Sequence, residues 1–140
     1  MINGPNLNML GRREPEIYGS QTYADLESFI HEVCSAIGAE AEVFQSNHEG
    51  AIVDKIQQTQ AGGIVINPAA YTHTSIAILD ALKAVGIPAV EVHLSDPTQR
   101  EAFRHVSYPA QACSASFVGL GFEGYAKAIE FLHNLQTKKL

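Results

Sequence analysis

The sequence is short of the residues that mark several protein classes. Its 140 residues include only two cysteines, Cys34 and Cys113, too few for a disulfide framework or a zinc site. We expect two reduced, mostly buried thiols and, by default, a cytoplasmic location. No apolar run reaches the roughly 18 residues that suggest a membrane span. The first residues also lack the basic and apolar regions of a signal peptide, so we expect no association with a membrane.

Positive charge is scarce as well. Lysine and arginine number 9 against 15 acidic residues, which gives a net charge of −6 and a pI near 5.4. General nucleic-acid binding needs a basic surface, so we expect no nucleic-acid partner. Hydrophobic residues make up 46% of the chain, which is enough for a core and excludes disorder as the main state. The length fits one domain over residues 1–140.

Only four arginines occur, and they lie in two short segments: Arg12, Arg13, Arg100 and Arg104. The guanidinium fork is well suited to holding a carboxylate or phosphate. The clustering favours local binding of a small anion, with coincidence among few residues as the alternative.

Segments with strand and helix patterns alternate along the chain. We predict strands at 1–3, 40–46, 64–67, 87–93 and 114–118. We predict helices at 22–37, 48–60, 73–85, 97–105 and 121–136, with Thr22 and Asp25 forming an approximate capping box. This alternation predicts an α/β, flavodoxin-like, doubly wound fold with a five-stranded parallel sheet in the order 2-1-3-4-5. Residues 4–20 form a long irregular stretch of the kind that is usually functional or mobile.

Polar residues collect where the predicted strands end. Asn3, Asn6 and Asn8 follow strand 1, and Asn67 ends strand 3. Strand 4 ends at Glu91 and His93 and leads into Leu94 and Ser95. Because ligands of open α/β sheets bind at the carboxyl ends of the strands, these groups predict a site at that edge.

Two residue pairs suggest chemistry at this edge. Glu91 and His93 are two apart on a strand and share a face, so the carboxylate is placed to fix the imidazole as a general acid. A structural hydrogen bond is the alternative. Arg100 and Arg104 share a face of a short predicted helix, where a solvated surface is the alternative.

Two further pairs have strong structural alternatives. His73 and Asp80 fall on one face of a predicted helix. His73, near its first turn, is suited to contact with an anion or hydroxyl, and the alternative for Asp80 is a surface carboxylate without a role in the site. Tyr18 follows Arg13 by five residues. A phenol beside a guanidinium is a credible general base, whereas an isolated Tyr18 is more often a packing residue.

Two patterns are interpreted as structural. The glycines of 119–124 match G-x-G-x-x-G, but the chain is too short for the following strand of a dinucleotide site, so we interpret them as a tight turn with close helix packing. The remaining histidines lack ligand spacing, so we expect no metal and assign surface or packing roles to His31, His48, His105 and His133.

Several motifs together closely resemble the type II 3-dehydroquinate dehydratase family. They cover essentially the whole chain in order, at 3–8, 10–15, 17–19, 67–75, 91–95 and 100–104. The departures are a shortened first strand and Arg12, where many relatives carry threonine. The resemblance implies dehydration of 3-dehydroquinate to 3-dehydroshikimate by anti elimination through an enolate, without a cofactor. It implies a step of the shikimate pathway toward chorismate and aromatic amino acids, and quinate breakdown shares the reaction.

The resemblance also implies roles for individual residues. It implies Tyr18 as the base, Arg13 as its activator, Asn6 as the support of the enolate oxygen through a water, and His93 as the acid oriented by Glu91. It implies substrate contacts by Asn67, His73, Leu94, Ser95 and Arg104, and a loop-holding role for Arg100. It places the active-site loop at about 8–20, implies that Asp80 reaches a neighbouring subunit, and implies trimers grouped into a homododecamer.

The competing hypothesis is a flavodoxin-like binding or signalling module without catalysis. A phospho-acceptor domain would end strand 3 with an aspartate, and this chain has Asn67 there. A flavin domain would carry a Ser/Thr-rich loop after strand 1, where this chain has asparagine and proline.

Overall fold

The computed structural model describes residues 1–12, 16 and 19–138, and a five-stranded parallel sheet organises them. The strands are β1 (Ile2–Asn3), β2 (Phe44–Gln45), β3 (Ile64–Asn67), β4 (Ala89–His93) and β5 (Ala115–Val118). The longer helices are α1 (Tyr23–Ala36), α2 (Glu49–Gln58), α3 (Ile76–Val85) and α4 (Glu123–Thr137). The sheet order is β2-β1-β3-β4-β5, which confirms the predicted flavodoxin-like α/β fold. Within the described ranges, no helix is long and apolar enough to cross a membrane.

Helix α1 shows how local sequence sets an element. The Thr22 hydroxyl accepts from the Asp25 amide at 3.1 Å, and the Asp25 carboxylate accepts from the Thr22 amide at 2.9 Å. These reciprocal bonds satisfy amides that the first turn leaves without partners. The helix gives way at Gly38, whose φ of +72° suits a residue without a side chain. The predicted capping box is confirmed.

Alternating side chains of the strands build two apolar layers. Val65, Val90 and Val92 face one layer with α1 and α4, where Tyr125 is fully buried. Ile64 and Ile66 face the other layer, with α2 and α3. Burial on both faces explains the nearly continuous apolar strands.

Two predicted strand and helix boundaries are wrong. The second strand was expected over 40–46, but as an edge strand it pairs only with the two residues of β1: Ile2 with Phe44 and Asn3 with Gln45. The third helix was expected over 73–85, but it begins at Ile76. The Ser75 hydroxyl caps it by accepting from the Ile78 amide at 2.9 Å, and a 3-10 turn at Ala69–His73 comes before it.

The predicted helix at 97–105 is also wrong. Two 3-10 turns occupy it, Pro97–Gln99 and Ala102–Arg104. Arg100 lies between them with extended backbone, φ −115° and ψ −164°, which interrupts any continuous helix. A further 3-10 turn at Pro109–Ala112 was not predicted.

Candidate active site

A cleft of about 540 Å³, counting its part open to solvent, lies at the carboxyl edge of the sheet. Its walls come from the segments that follow β1, β3 and β4 and from the two 3-10 turns after β4. Eight of the predicted site residues line it together: Asn6, Asn67, His73, His93, Leu94, Ser95, Arg100 and Arg104. The residues predicted from the strand ends therefore lie together at one edge of the sheet.

The floor of the cleft holds an imidazole bound to a buried carboxylate. His93 Nε2 and Glu91 Oε1 form a close hydrogen bond, and of these two residues His93 alone lines the cleft. Ser107 Oγ donates to Glu91 Oε1 at 2.8 Å, and Ser116 Oγ donates to Glu91 Oε2 at 3.2 Å. Burial raises the pKa of the Glu91 carboxyl, but the bonds from His93, Ser107 and Ser116 outweigh it and hold the pKa below its ordinary value. Glu91 is thus an ionised acceptor that orients the imidazole.

Positive charge lines one wall of the cleft. The prediction that Arg100 and Arg104 share a helix is wrong. Both side chains nevertheless line the same cavity, with Arg104 in the turn at Ala102–Arg104. Arg104 Nε donates to Glu101 Oε2 at 2.6 Å, which holds the guanidinium in place. Two guanidinium groups on one wall suit a small carboxylate ligand.

The His73 ring is fixed by a backbone contact. Its Nδ1 lies 2.8 Å from the carbonyl oxygen of Val106. Because a carbonyl only accepts, Nδ1 carries the proton in this bond. His73 lies in the 3-10 turn before α3, so the prediction that it shares a helix face with Asp80 is wrong.

The loops after β1 and β3 are locked together beneath the cleft. The Gly4 amide donates to the Asn67 carbonyl at 2.8 Å, and a Cβ on Gly4 would lie 2.3 Å from the Pro68 oxygen. Asn6 has a left-handed backbone, φ +69°, and its amide donates to Asn47 Oδ1 at 3.0 Å. The absence of a side chain at residue 4 lets the loop after β1 pack directly on the backbone of Pro68, and Asn6 in this loop lines the cleft.

Four predicted site residues are not among those that line the cleft. Glu91 is buried and reaches it only through His93. Arg13 and Tyr18 lie outside the described residues. Asp80 is exposed on α3 and does not line the cleft of its own chain. Its proposed contact with a neighbouring subunit is compatible with that exposure.

The sequence reasoning missed the hydroxyls that hold Glu91. Ser116 is the direct neighbour of Glu91 in the register of β4 and β5, so strand pairing carried a usable signal for it. Ser107 comes from an irregular segment without periodicity, and no sequence pattern pointed to it. Pro5, Leu7 and Pro97 also line the cleft and shape its apolar part.

The structure also tests the interpretation of the glycines after β5. Gly119 and Gly121 have φ values of +74° and +59°, and a Cβ on Gly124 would lie 3.1 Å from Val92 Cγ1. A tight turn with close helix packing is therefore confirmed. Across the described part of the chain, no group of three or more His, Cys, Asp or Glu residues is placed to hold a metal ion.

Comparison with known proteins agrees with this geometry. Residues 1–133 match the family model described as dehydroquinase class II. The chain is 56% identical over 132 residues to catabolic 3-dehydroquinase 1 of Aspergillus terreus, covering 93% of this chain and 87% of that protein. It is 53% identical over 135 residues to 3-dehydroquinate dehydratase 1 of Ralstonia nicotianae, covering 94% and 86%. The crystal structure of type II dehydroquinase from Butyrivibrio crossotus superposes with a TM-score of 0.92 at 51% identity, covering 94% of each chain. The resemblance noted in the sequence is thereby confirmed, and the chain belongs to the type II dehydroquinase family.

Proposed function

We propose that residues 1–140 form one catalytic domain that dehydrates 3-dehydroquinate to 3-dehydroshikimate by anti elimination through an enolate. The observation that carries the proposal is the His93–Glu91 pair in a cleft that Arg100 and Arg104 also line. A small molecule bound in this cleft would meet both a proton donor and groups that hold a carboxylate. Loss of water from a hydroxy acid requires both.

His93 is the general acid of this proposal. Hydroxide is a poor leaving group, so the imidazole protonates the departing hydroxyl and water leaves. The bond to Glu91 fixes the orientation of the ring. Ser107 and Ser116 hold the carboxylate in turn, so the acid is positioned before substrate arrives.

Tyr18 is the general base, and Arg13 activates it. The proton next to a ketone is weakly acidic, so the base acts only if the charge that develops on oxygen is stabilised. A guanidinium beside the phenol favours the phenolate, and Asn6 supports the enolate oxygen through a water. Asn6 lines the cleft, in agreement with this role.

The remaining cleft residues bind substrate. Arg104 and the backbone of Leu94 and Ser95 serve the carboxylate, while Asn67 and His73 serve oxygen substituents of the ring. Arg100 holds the active-site loop of about 8–20 near Tyr18. All the groups needed for proton removal, charge stabilisation and hydroxyl loss are side chains, so the proposed reaction uses no cofactor.

The direct test is an ultraviolet assay for the conjugated enone formed from 3-dehydroquinate, run with and without a chelator. We expect product in both arms at equal rates. Absence of product, or a yellow purified protein, would contradict the lyase and revive a flavin-binding module. Product that is lost with the chelator would contradict the proposed independence from metal.

We further propose that the chain assembles as trimers grouped into a homododecamer, with Asp80 reaching the cleft of a neighbouring subunit. Large apolar side chains exposed on the segments around His73 support an interface there: Ile76, Phe103 and Val106 are 55%, 68% and 51% exposed. Large apolar side chains with this exposure favour burial against a second copy.

We propose that the enzyme is cytoplasmic, because Cys34 and Cys113 are both free thiols, as expected in a reducing compartment. We also propose, from the reaction itself, that it acts in the shikimate pathway. The biosynthetic and catabolic pathways share this dehydration. Growth of a mutant lacking the gene, without aromatic amino acids and separately on quinate, distinguishes them.

A further inference from the structure

A chain of buried polar side chains runs directly beneath the cleft. Asn3 and Asn67 end β1 and β3 and are partners in the strand register, 0% and 3% exposed. The hydroxyl of Tyr125, on α4, lies between them. It is 3.1 Å from Asn67 Nδ2 and 2.6 Å from Asn3 Oδ1. Asn3 Nδ2 in turn lies 3.3 Å from the Tyr23 hydroxyl.

The direction of these hydrogen bonds is set by one obligate donor. The Ala69 amide donates to Asn67 Oδ1 at 3.2 Å, and a backbone N–H has no other role open to it. Asn67 Nδ2 must therefore face Tyr125. The Tyr125 hydroxyl accepts there and gives its single proton to Asn3 Oδ1, which turns Asn3 Nδ2 toward Tyr23.

The same chain fixes which atoms Asn67 offers to a ligand. One Nδ2 hydrogen is used by Tyr125, and Oδ1 is used by Ala69, which itself lines the cleft in a left-handed conformation at φ +54°. The second Nδ2 hydrogen is left for the cleft. Asn67 can therefore donate one hydrogen bond to a ligand oxygen, and its Oδ1 keeps one lone pair beside the bond from Ala69.

We propose that Tyr125 is a positioning residue for substrate binding, whose buried hydroxyl holds the Asn67 amide in the orientation that donates into the cleft. This inference rests on the proposed function, because it takes the ligand oxygen to belong to 3-dehydroquinate. Tyr125 does not touch substrate and acts through Asn67.

The protonation of Tyr125 supports this assignment. Burial raises the pKa of the Tyr125 phenol well above its ordinary value of 10.0, and the hydrogen bond from Asn67 only partly opposes that shift. The hydroxyl keeps its single proton throughout the working pH range. The bond directions that depend on that proton are therefore constant.

The test is a double-mutant cycle of Tyr125→Phe and Asn67→Ala with 3-dehydroquinate as substrate. In the chain with Asn67, we expect Tyr125→Phe to raise KM about tenfold and change kcat less than about threefold, the scale of one lost hydrogen bond. In the Asn67→Ala background, the same change is expected to alter kcat/KM less than about twofold. Equal losses of kcat/KM in both backgrounds would overturn the proposal, because a merely structural role acts without Asn67.

Two controls keep the outcome decisive. Tyr23→Phe removes a phenol at the far end of the chain, which contacts Asn3 and not Asn67, and is expected to leave kcat/KM within about twofold. If Tyr125→Phe does not fold, Asn3→Ala removes the acceptor of the Tyr125 proton and enters the same cycle with the same expected non-additivity. A wild-type protein without dehydratase activity would contradict the proposed function instead, which separates the two failures.

Discussion

Glu91 is a buried carboxylate whose charge is stabilised by three neighbours. Its folded pKa lies below the ordinary value of 4.5 despite burial, because His93, Ser107 and Ser116 all hydrogen-bond to it. A group with a lowered folded pKa adds stability above its unfolded pKa and loses it as pH falls through the folded one. The contribution of Glu91 is therefore complete at neutral pH and lost in acid.

We predict that Glu91→Gln lowers the free energy of unfolding by roughly 2 kcal/mol at pH 7, since the bonds to a charged acceptor weaken. The difference from the wild type should shrink below pH 4.5. Urea unfolding at pH 7 and at acid pH measures both values, and the exposed Glu32→Gln is the control. A difference independent of pH would contradict the ionised state assigned to Glu91.

We predict that Tyr18→Phe lowers kcat by several orders of magnitude while the fold stays intact. The variant keeps the ring and loses the phenolic oxygen that takes the proton. Steady-state kinetics and circular dichroism make the measurement, with Tyr108→Phe as a matched loss of a phenol outside the cleft lining. Near-normal turnover in Tyr18→Phe would overturn the base assignment.

Gly4 is the point where the loops after β1 and β3 meet. We predict that Gly4→Ala costs about 3 kcal/mol or more of unfolding free energy, because its Cβ would lie 2.3 Å from the Pro68 oxygen. Gly50→Ala in α2 has no atom within 4 Å of its new Cβ and should be neutral or slightly stabilising. Urea unfolding compares the two, and similar values would mean that the loops separate easily.

At the scale of elements, the start of α3 decides where His73 lies. Ser75 is buried, and its hydroxyl takes up the Ile78 amide, so the helix begins after the 3-10 turn that carries His73. A helix running back to residue 73 would rotate that ring away from its contact with Val106.

We predict that Ser75→Ala destabilises the protein by about 1–2 kcal/mol, because it leaves an amide of the first turn without its cap. Urea unfolding measures the loss. Ser35→Ala, at an exposed position inside α1, is expected to change stability by less than about 0.5 kcal/mol. If the two serines cost the same, the hydroxyl of Ser75 is not the cap that sets this boundary.

At the scale of the whole molecule, the exposed apolar residues around His73 bear on assembly. We predict a native mass near twelve times 15.1 kDa by light scattering. Phe103→Asp should give a smaller species, because it places a charge in a surface proposed to be buried. Phe103→Leu, which keeps an apolar side chain, should retain the full mass. An unchanged mass for Phe103→Asp would place the interface elsewhere.

The sheet order and the location of the cleft were predictable, because they depend on patterns that repeat along the chain. Alternating apolar strands and helices set the layers, and Asn67 and His93 follow strand ends that must meet at one edge. The start of α3 was not predictable from the spacing of apolar residues. It is set by the Ser75 hydroxyl, which caps the helix by accepting from the Ile78 amide. The hold of Ser107 on Glu91 depends on how an irregular segment packs, which no local pattern encodes.

The parallel arrangement of the strands leaves the opposite edge of the sheet to connections such as those at Gly38 and Gly86, which enter β2 and β4. Both glycines are exposed, and nothing lies within 4 Å of a Cβ placed on either. A fluorophore, an affinity handle or a short guest peptide grafted there would be separated from the cleft by the length of the strands. The protein can thus be labelled or immobilised at this edge of the sheet while its cleft stays open to solvent.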